Sequence, residues 1–343
     1  MADGQQTILG GKHSMHVDCV MWTFNGAKTL DVVLKRINKV IPKQFVNKRF
    51  IVDDGSSDCT LAIATFNGWS VYRNKGKGIS DGANTALDLV ESDYFCSFEQ
   101  DVIIPEDWWA RVAVPFFGSG LAAASGMRFN SQPKGVVTLF KYVAKKYRGE
   151  QLSPWLKSRK ANAFTLGKTL DNTIYRTEAI RKVGGFPYMK VNAGVDTVLA
   201  WKLEKYGYKW KVDYNVQGIH IRTGLRDELN HQKWYGTQTR YIWNAMNTLE
   251  MKSPVNFKRT IYKLLLAPFS GVFVAFKTRE ATIVYIHPLI RFYNTWGLLQ
   301  GPKPVKHYCC QKCGEVVEQL KLNVDEKKYV CSTCLNVVKE EMI

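Results

Sequence analysis

Two acidic pairs stand where a chain built only to fold would avoid them. In FIVDDGSSDCT, residues 50–60, an apolar run leads straight into adjacent carboxylates, Asp53 and Asp54, and then into a Gly-Ser-Ser-Asp turn. Farther on, YFCSFEQD at 94–101 closes on Glu99 and Asp101. Neighbouring anions repel and burial raises the cost, so a cation or a set of hydroxyl and amide donors is expected against them. Carboxylates grouped in this way suit a hard divalent cation together with a nucleotide. Between the pairs lies the glycine-rich RNKGKGISDGAN, which carries Lys77 and the exposed amides that suit a diphosphate.

Such residues need elements that bring them together. HVDCVMWTF (16–24) reads as a buried strand, and Leu30, Val33, Leu34, Ile37 and Ile41 follow at helical spacing. RFIV (49–52), WSVYR (69–73) and YFCSFEQD (94–101) predict further strands. CTLAIATF predicts a short helix, and the stretch from about 80 to 90 another. Alternating strands and helices argue an α/β fold, a mainly parallel sheet flanked by helices, with ligands at the carboxyl ends of the strands. Both acidic pairs fall at such ends.

A net charge of +18 favours anionic partners: phosphates, nucleic acid or an acidic membrane surface. The N-terminal residues 1–16 lack the apolar core of a signal peptide and read as a flexible tail, and no apolar run reaches the roughly 18 residues of a membrane span. A cytoplasmic location is expected, peripheral on the cytoplasmic face of a membrane. Residues 141–160 carry seven basic residues against one Glu, and residues 226–302 form a helical extension in which basic and aromatic residues alternate, as on an interfacial surface. GPKPVK (301–306) reads as a linker. Beyond it, within 303–343, Cys310 and Cys313 pair with Cys331 and Cys334 across seventeen residues, the pattern of a small four-cysteine zinc ribbon with a structural Zn²⁺. That module is expected to meet a protein partner or a second copy of the chain. Cys19, Cys59 and Cys96 read as buried thiols.

The ordered set of motifs resembles the family 2 glycosyltransferases, inverting enzymes with a GT-A Rossmann-like fold. TFN (23–25) resembles the end of that family's first strand, VDDGSSDCT its nucleotide-binding turn, NKGKGISDGANTAL its third-strand loop and helix, and FEQDVIIPEDW its metal-binding acidic motif. YRTEAIRKVGGF (175–186), AGVDTVLAWKLEKYGYKW (193–210) and GIHIR (218–222) continue the likeness over a catalytic domain at 17–225. The chain departs from the family pattern at Glu99, where Asp is usual, at Val195, where an acid commonly precedes the position of Asp196, and at Trp22 and Gly26, where Pro and Glu are frequent.

The resemblance implies a nucleotide-diphosphate-sugar donor, UDP preferred over GDP, and Mn²⁺ or Mg²⁺ held by Asp101, with Glu99 beside it and His220 as a third ligand. It places Thr23, Asn25, Asp53, Asp54, Lys77 and Arg222 around the donor. Asp196 is the candidate base for the proton of an acceptor hydroxyl, on a glycan or polyprenyl-linked acceptor, and a polyprenyl phosphate, already ionised, would need such a base less. Two other readings stay open: a nucleic-acid binder built on the ribbon and the basic stretches, which leaves the acidic series without a purpose, and a degenerate homologue that binds sugar nucleotide without turnover. Nucleic acid is not the expected partner.

Overall fold

The computed structural model describes residues 15–147, 167–189, 192–247 and 257–301, with four short strands beyond. β1 (Val17–Thr23) is buried at every position because it lies in the middle of the sheet, with β2 (Val46–Asp53) and β4 (Tyr94–Phe98) parallel on either side. β3 (Ser70–Arg73) extends this parallel half. The sheet then changes character. β7 (Asn172–Arg176) runs antiparallel to β4, β6 (Ala123–Asn130) antiparallel to β7, and β8 (Trp210–His220) parallel to β6; β5 (Val102–Ile103) closes the edge, antiparallel to β8. The spatial order is β3-β2-β1-β4-β7-β6-β8-β5. The expectation of a mainly parallel sheet thus holds for the first half and gives way to a mixed sheet in the second.

Helices cover both faces. α1 (Leu30–Val40) buries Leu30, Val33, Leu34 and Ile37 as its spacing requires, and α2 (Thr60–Phe66) lies against it. Each such side chain contributes on the order of 1.5–3 kcal/mol by leaving water. The other face packs α3 (Gly78–Leu89), α5 (Thr177–Lys182) and α6 (Val195–Lys205) through Ala83, Ala86, Ile180, Val198 and Leu199. Beyond the sheet, α4 (Lys134–Tyr147), α7 (Leu225–Asn247), α8 (Phe257–Leu265), α9 (Ala267–Thr278) and α10 (Ile283–Gln300) form a helical layer with its own core around Val136, Leu229, Ile283 and Ile286. α7 and α10 touch backbone to backbone. A Cβ on Gly236 would lie 2.1 Å from the Asn294 carbonyl, and one on Gly297 1.9 Å from that of Lys233.

Cys19 and Cys96 are buried, and burial pushes the Cys19 thiol up to about 12. Cys59 is exposed, against expectation, because it precedes α2 at the open end of a turn instead of entering the core. Of the tail at 1–16, only Met15 and His16 fall within the described residues. The four ribbon cysteines, Cys310, Cys313, Cys331 and Cys334, lie outside them. Around those positions β9 (Tyr308–Cys309) pairs antiparallel with β10 (Val316–Val317), and β11 (Lys321–Asn323) with β12 (Lys328–Val330).

Candidate functional site

The parallel register sets Thr23 opposite Asp53 at the carboxyl ends of β1 and β2. The Asp53 carboxylate is nearly sealed from solvent. It accepts from the Thr23 hydroxyl at 3.0 Å, the Gly55 amide at 3.0 Å, and the Ser56 amide and hydroxyl at 2.7 and 2.6 Å. The donors expected against the acidic pair are therefore local, and Asp53 holds the turn without facing the cavity. Asn25 braces the same turn: its amide donates to the Ser56 hydroxyl at 2.8 Å and its side-chain oxygen accepts from the Ser57 amide at 2.9 Å.

Asp54 points the other way, into a cavity of about 520 Å³. Asn74 Nδ2 donates to it at 2.9 Å and the Gly78 amide at 3.0 Å. Gly78 adopts a left-handed φ of +76°, which aims its amide there, and an added Cβ would fall 2.1 Å from Asn192 Oδ1. Thr23 also lines the cavity; Asn25, Asp53 and Lys77 do not. The Lys77 side chain is exposed, and its amide donates to Asp81 at 2.8 Å.

The second acidic pair is assembled by the mixed half of the sheet. Antiparallel pairing of β5 with β8 sets Val102 opposite His220, so Asp101 comes beside the imidazole, with Asp101 Oδ2 3.0 Å from His220 Nε2. Burial pushes His220 down, and the nearby Arg128 charge adds to this, so the ring is neutral and its Nε2–H donates to Asp101. Burial pulls the Asp101 carboxyl upward, but the His220 hydrogen bond and the cationic groups around it outweigh that and hold it low. Arg222 Nη1 stands 3.7 Å away.

Glu99 is held differently. β6 carries Arg128 to it, with Nη1 3.0 Å from Glu99 Oε2 and Nε 2.7 Å from Asp171 Oδ2, and Asp171 is fully buried. Burial pushes the Glu99 carboxyl up to about 8 against the pull of Arg128. Among the described residues no three His, Cys, Asp or Glu side chains form a ready metal cage. Asp101 and His220 would converge as two ligands once the imidazole proton moves from Nε2 to Nδ1 and the hydrogen bond between them opens, the open kind of site in which Mg²⁺ or Mn²⁺ keeps waters and takes substrate phosphate oxygens. Those residues fit such a cation. Glu99, tied to Arg128, is not free to join them.

Asp196 sits in the first turn of α6 and lines the same cavity. Gly194 starts that helix at φ +81°, with room for no side chain, since a Cβ would meet Ile242 Cγ1 at 2.4 Å. Burial pushes the Asp196 carboxyl up, only partly offset by the Thr197 amide that donates to it at 2.6 Å. Val195 is buried in the core and touches the cavity only with an apolar side chain, so of the two Asp196 alone brings a carboxylate to it.

A second chamber of about 340 Å³ shares Arg128, Asp196, His220, Arg222, His231 and Tyr235 with the first but none of its nucleotide-turn residues. α7 and α4 wall it, through Glu228, Gln232 and Phe140. Burial above all pushes His231 down to about 3, so its neutral Nε2 accepts from Arg222 Nη2 at 3.1 Å. Arg222 Nε is buried without a hydrogen-bond partner. Arg128, Asp171, His231 and Tyr235 escaped the sequence reading because nothing local marks them; each is brought in by a distant strand or helix. Asn74 had a signal, its place in the glycine-rich loop that supplies the Gly78 amide.

Residues 18–183 match the model of glycosyl transferase family 2. No curated protein matches the chain in sequence. Among solved structures it resembles the mannosyltransferase PcManGT of Pyrobaculum calidifontis, solved with GDP-Man and Mn²⁺, at 15% identity and TM-score 0.54 over 83% of this chain and 87% of that one. It also resembles glucosyl-3-phosphoglycerate synthase of Mycobacterium tuberculosis, solved with Mn²⁺, UDP and glucosyl-3-phosphoglycerate, at 15% identity and TM-score 0.50 over 67% and 78%. At this identity the structural likeness speaks for the fold. The family match lies within the part of the chain that carries the sheet, and the structural likeness is to proteins of the GT-A fold.

Proposed function

We propose that this protein transfers a sugar with inversion from a nucleotide-diphosphate-sugar, a UDP-sugar by preference, to a hydroxyl of a glycan or lipid-linked acceptor. One observation carries the reading: a single cavity is lined by Asp54 with the Gly78 loop, by the Asp101–His220 pair, and by the half-buried Asp196, which also faces the second chamber with its own walls. Base and ribose would lie against Asp54, Asn74 and Thr23, and the acceptor would enter from the side of Glu228 and Gln232. Mn²⁺ or Mg²⁺, held by Asp101 and His220, would neutralise charge on the departing diphosphate. Arg222 supports the same role, because its buried Nε lacks a partner that a phosphate oxygen would supply. Asp196 takes the acceptor proton as the acceptor oxygen bonds to the anomeric carbon and the bond to the diphosphate breaks. A carboxyl raised by burial is a stronger base than an exposed one, which suits this task.

The Asp196→Asn variant is expected to lose roughly 10²–10⁴-fold in kcat while nucleotide affinity stays within a factor of a few. Steady-state transfer assays paired with nucleotide titration check this, and an active Asn variant would remove Asp196 from the chemistry. The clamp of Arg128 on Glu99 favours a second reading, donor binding without turnover; it would stand if the wild-type chain bound the donor but moved no sugar to any of a broad set of acceptors.

A further inference from the structure

α8 and α9 follow one another with only Leu266 between them. Along the pair, Tyr262, Leu265, Leu266, Phe269, Val272, Phe273 and Phe276 recur at i, i+3, i+4, i+7, i+10, i+11 and i+14, the spacing of one helix face. All are exposed, Phe269 to 75% and Phe276 to 80%. The side of α9 that packs inward carries Ala267, Gly271, Val274 and Ala275, and a Cβ added to Gly271 would lie 3.1 Å from the Val284 carbonyl. α9 therefore turns its small residues to the protein and its large aromatic ones outward, the reverse of a helix on a water-facing surface. A contiguous apolar stripe of this kind marks an interaction surface.

Its charge surroundings choose the occupant. From residue 257 to 301 six Lys and Arg stand against one acid, Glu280, and Glu280 is paired with Lys134 at 3.1 Å. Lys258, Lys263, Lys277 and Arg279 are exposed beside the stripe, and Lys277 Nζ lies 5.7 Å from the centre of the Phe273 ring, its stem along the apolar face and its charge at the rim. A second copy of the chain would bring like charges together; an anionic bilayer complements them.

We propose that α8 and α9 dock on the surface of an anionic lipid bilayer, the Phe stripe at the boundary of headgroups and acyl chains and the lysines at lipid phosphates. Among the described residues no helix is long and apolar enough to cross a membrane, so the contact is with one leaflet. α9 also packs on α4, which with α7 walls the second chamber, so the docked surface is one helix layer from it. The surface stands independently of the transfer chemistry. Only the corollary that a membrane-carried acceptor reaches the chamber rests on that reading.

The test is co-sedimentation of the full chain with vesicles of phosphatidylcholine alone or with about a third phosphatidylglycerol, for the wild type and a Phe269→Ser, Phe273→Ser, Phe276→Ser triple variant. Binding to the anionic vesicles is expected, weaker by about tenfold or more on phosphatidylcholine alone, at high salt, and in the variant. The variant should keep its circular dichroism, because these side chains are exposed. Failure of the wild type to bind, equal binding by a folded variant, or a wild-type dimer that the variant dissociates would each overturn the proposal. Nucleotide titration of both proteins separates failure of this surface from failure of the donor site.

Discussion

At the residue scale the acidic series resolves into distinct jobs that the one-letter code shows only in part. That Asp101, His220 and Asp196 would come to one cavity was legible because each lies at a strand or helix end, where a motif has a definite direction. The division of labour between Asp53 and Asp54 was not, since adjacent residues point to opposite sides and only the register decides which faces the cavity. Nor was Arg128, whose two carboxylate partners lie 29 and 43 positions away in sequence. Loss of Arg128 strands the charge of the fully buried Asp171, so Arg128→Met is expected to cost about 3 kcal/mol of stability, read from urea unfolding. A loss under about 1 kcal/mol would show that Glu99 and Asp171 are accommodated without it. The pH profile belongs here too. On the proposed mechanism Asp196 is the ionised base, and its carboxyl is raised, so kcat/KM is expected to fall as pH drops through a value above the ordinary carboxylate range. His231, pushed down to about 3, adds no limb near neutrality, and the same profile measured on Glu99→Gln separates the Asp196 limb from the raised Glu99 carboxyl. An acid limb absent down to the usual Asp value would contradict the burial argument.

At the element scale, two glycines with left-handed backbones set the site. Gly194 begins α6 against Ile242, so Gly194→Ala is expected to cost about 1–3 kcal/mol through strain alone and to displace Asp196, lowering kcat more than nucleotide affinity. Thermal unfolding and kinetics on the same variant separate the two effects. The turn after β2 offers a sharper contrast. Asp53→Ala removes the buried acceptor of the Gly55 and Ser56 amides and should destabilise the fold by about 2 kcal/mol, while Asp54→Ala, whose Asn74 and Gly78 donors face a cavity that water can enter, should cost less stability and weaken nucleotide binding. The reverse pattern would exchange their roles. The strands and helices of the first half were readable from periodicity, as β1 and α1 show. The antiparallel β7 and the β5–β8 edge were not, because they are specified by long-range pairing and β5 has only two residues.

At the scale of the whole molecule, the charge of +18 was evident from composition, but its placement was not. Cations gather both at the cavity, in Arg128 and Arg222, and around the exposed stripe on α8 and α9. An anionic donor should therefore associate faster at low ionic strength, and stopped-flow association rates should fall as salt rises. The basic and aromatic character of residues 226–302 was visible in sequence, yet only packing could tell core aromatics from exposed ones, and α9 places Phe269 and Phe276 on the outside. The central claim is that the strand ends form a metal-assisted nucleotide site, and calorimetric titration of the full chain with UDP and GDP tests it most directly, with and without Mn²⁺, beside Asp101→Ala. One nucleotide class is expected to bind in the presence of Mn²⁺, with affinity falling by about tenfold or more, roughly 1.4 kcal/mol, without the ion or in the variant. A folded wild-type chain that binds neither nucleotide, or binds one equally well without Mn²⁺ and without Asp101, would contradict it.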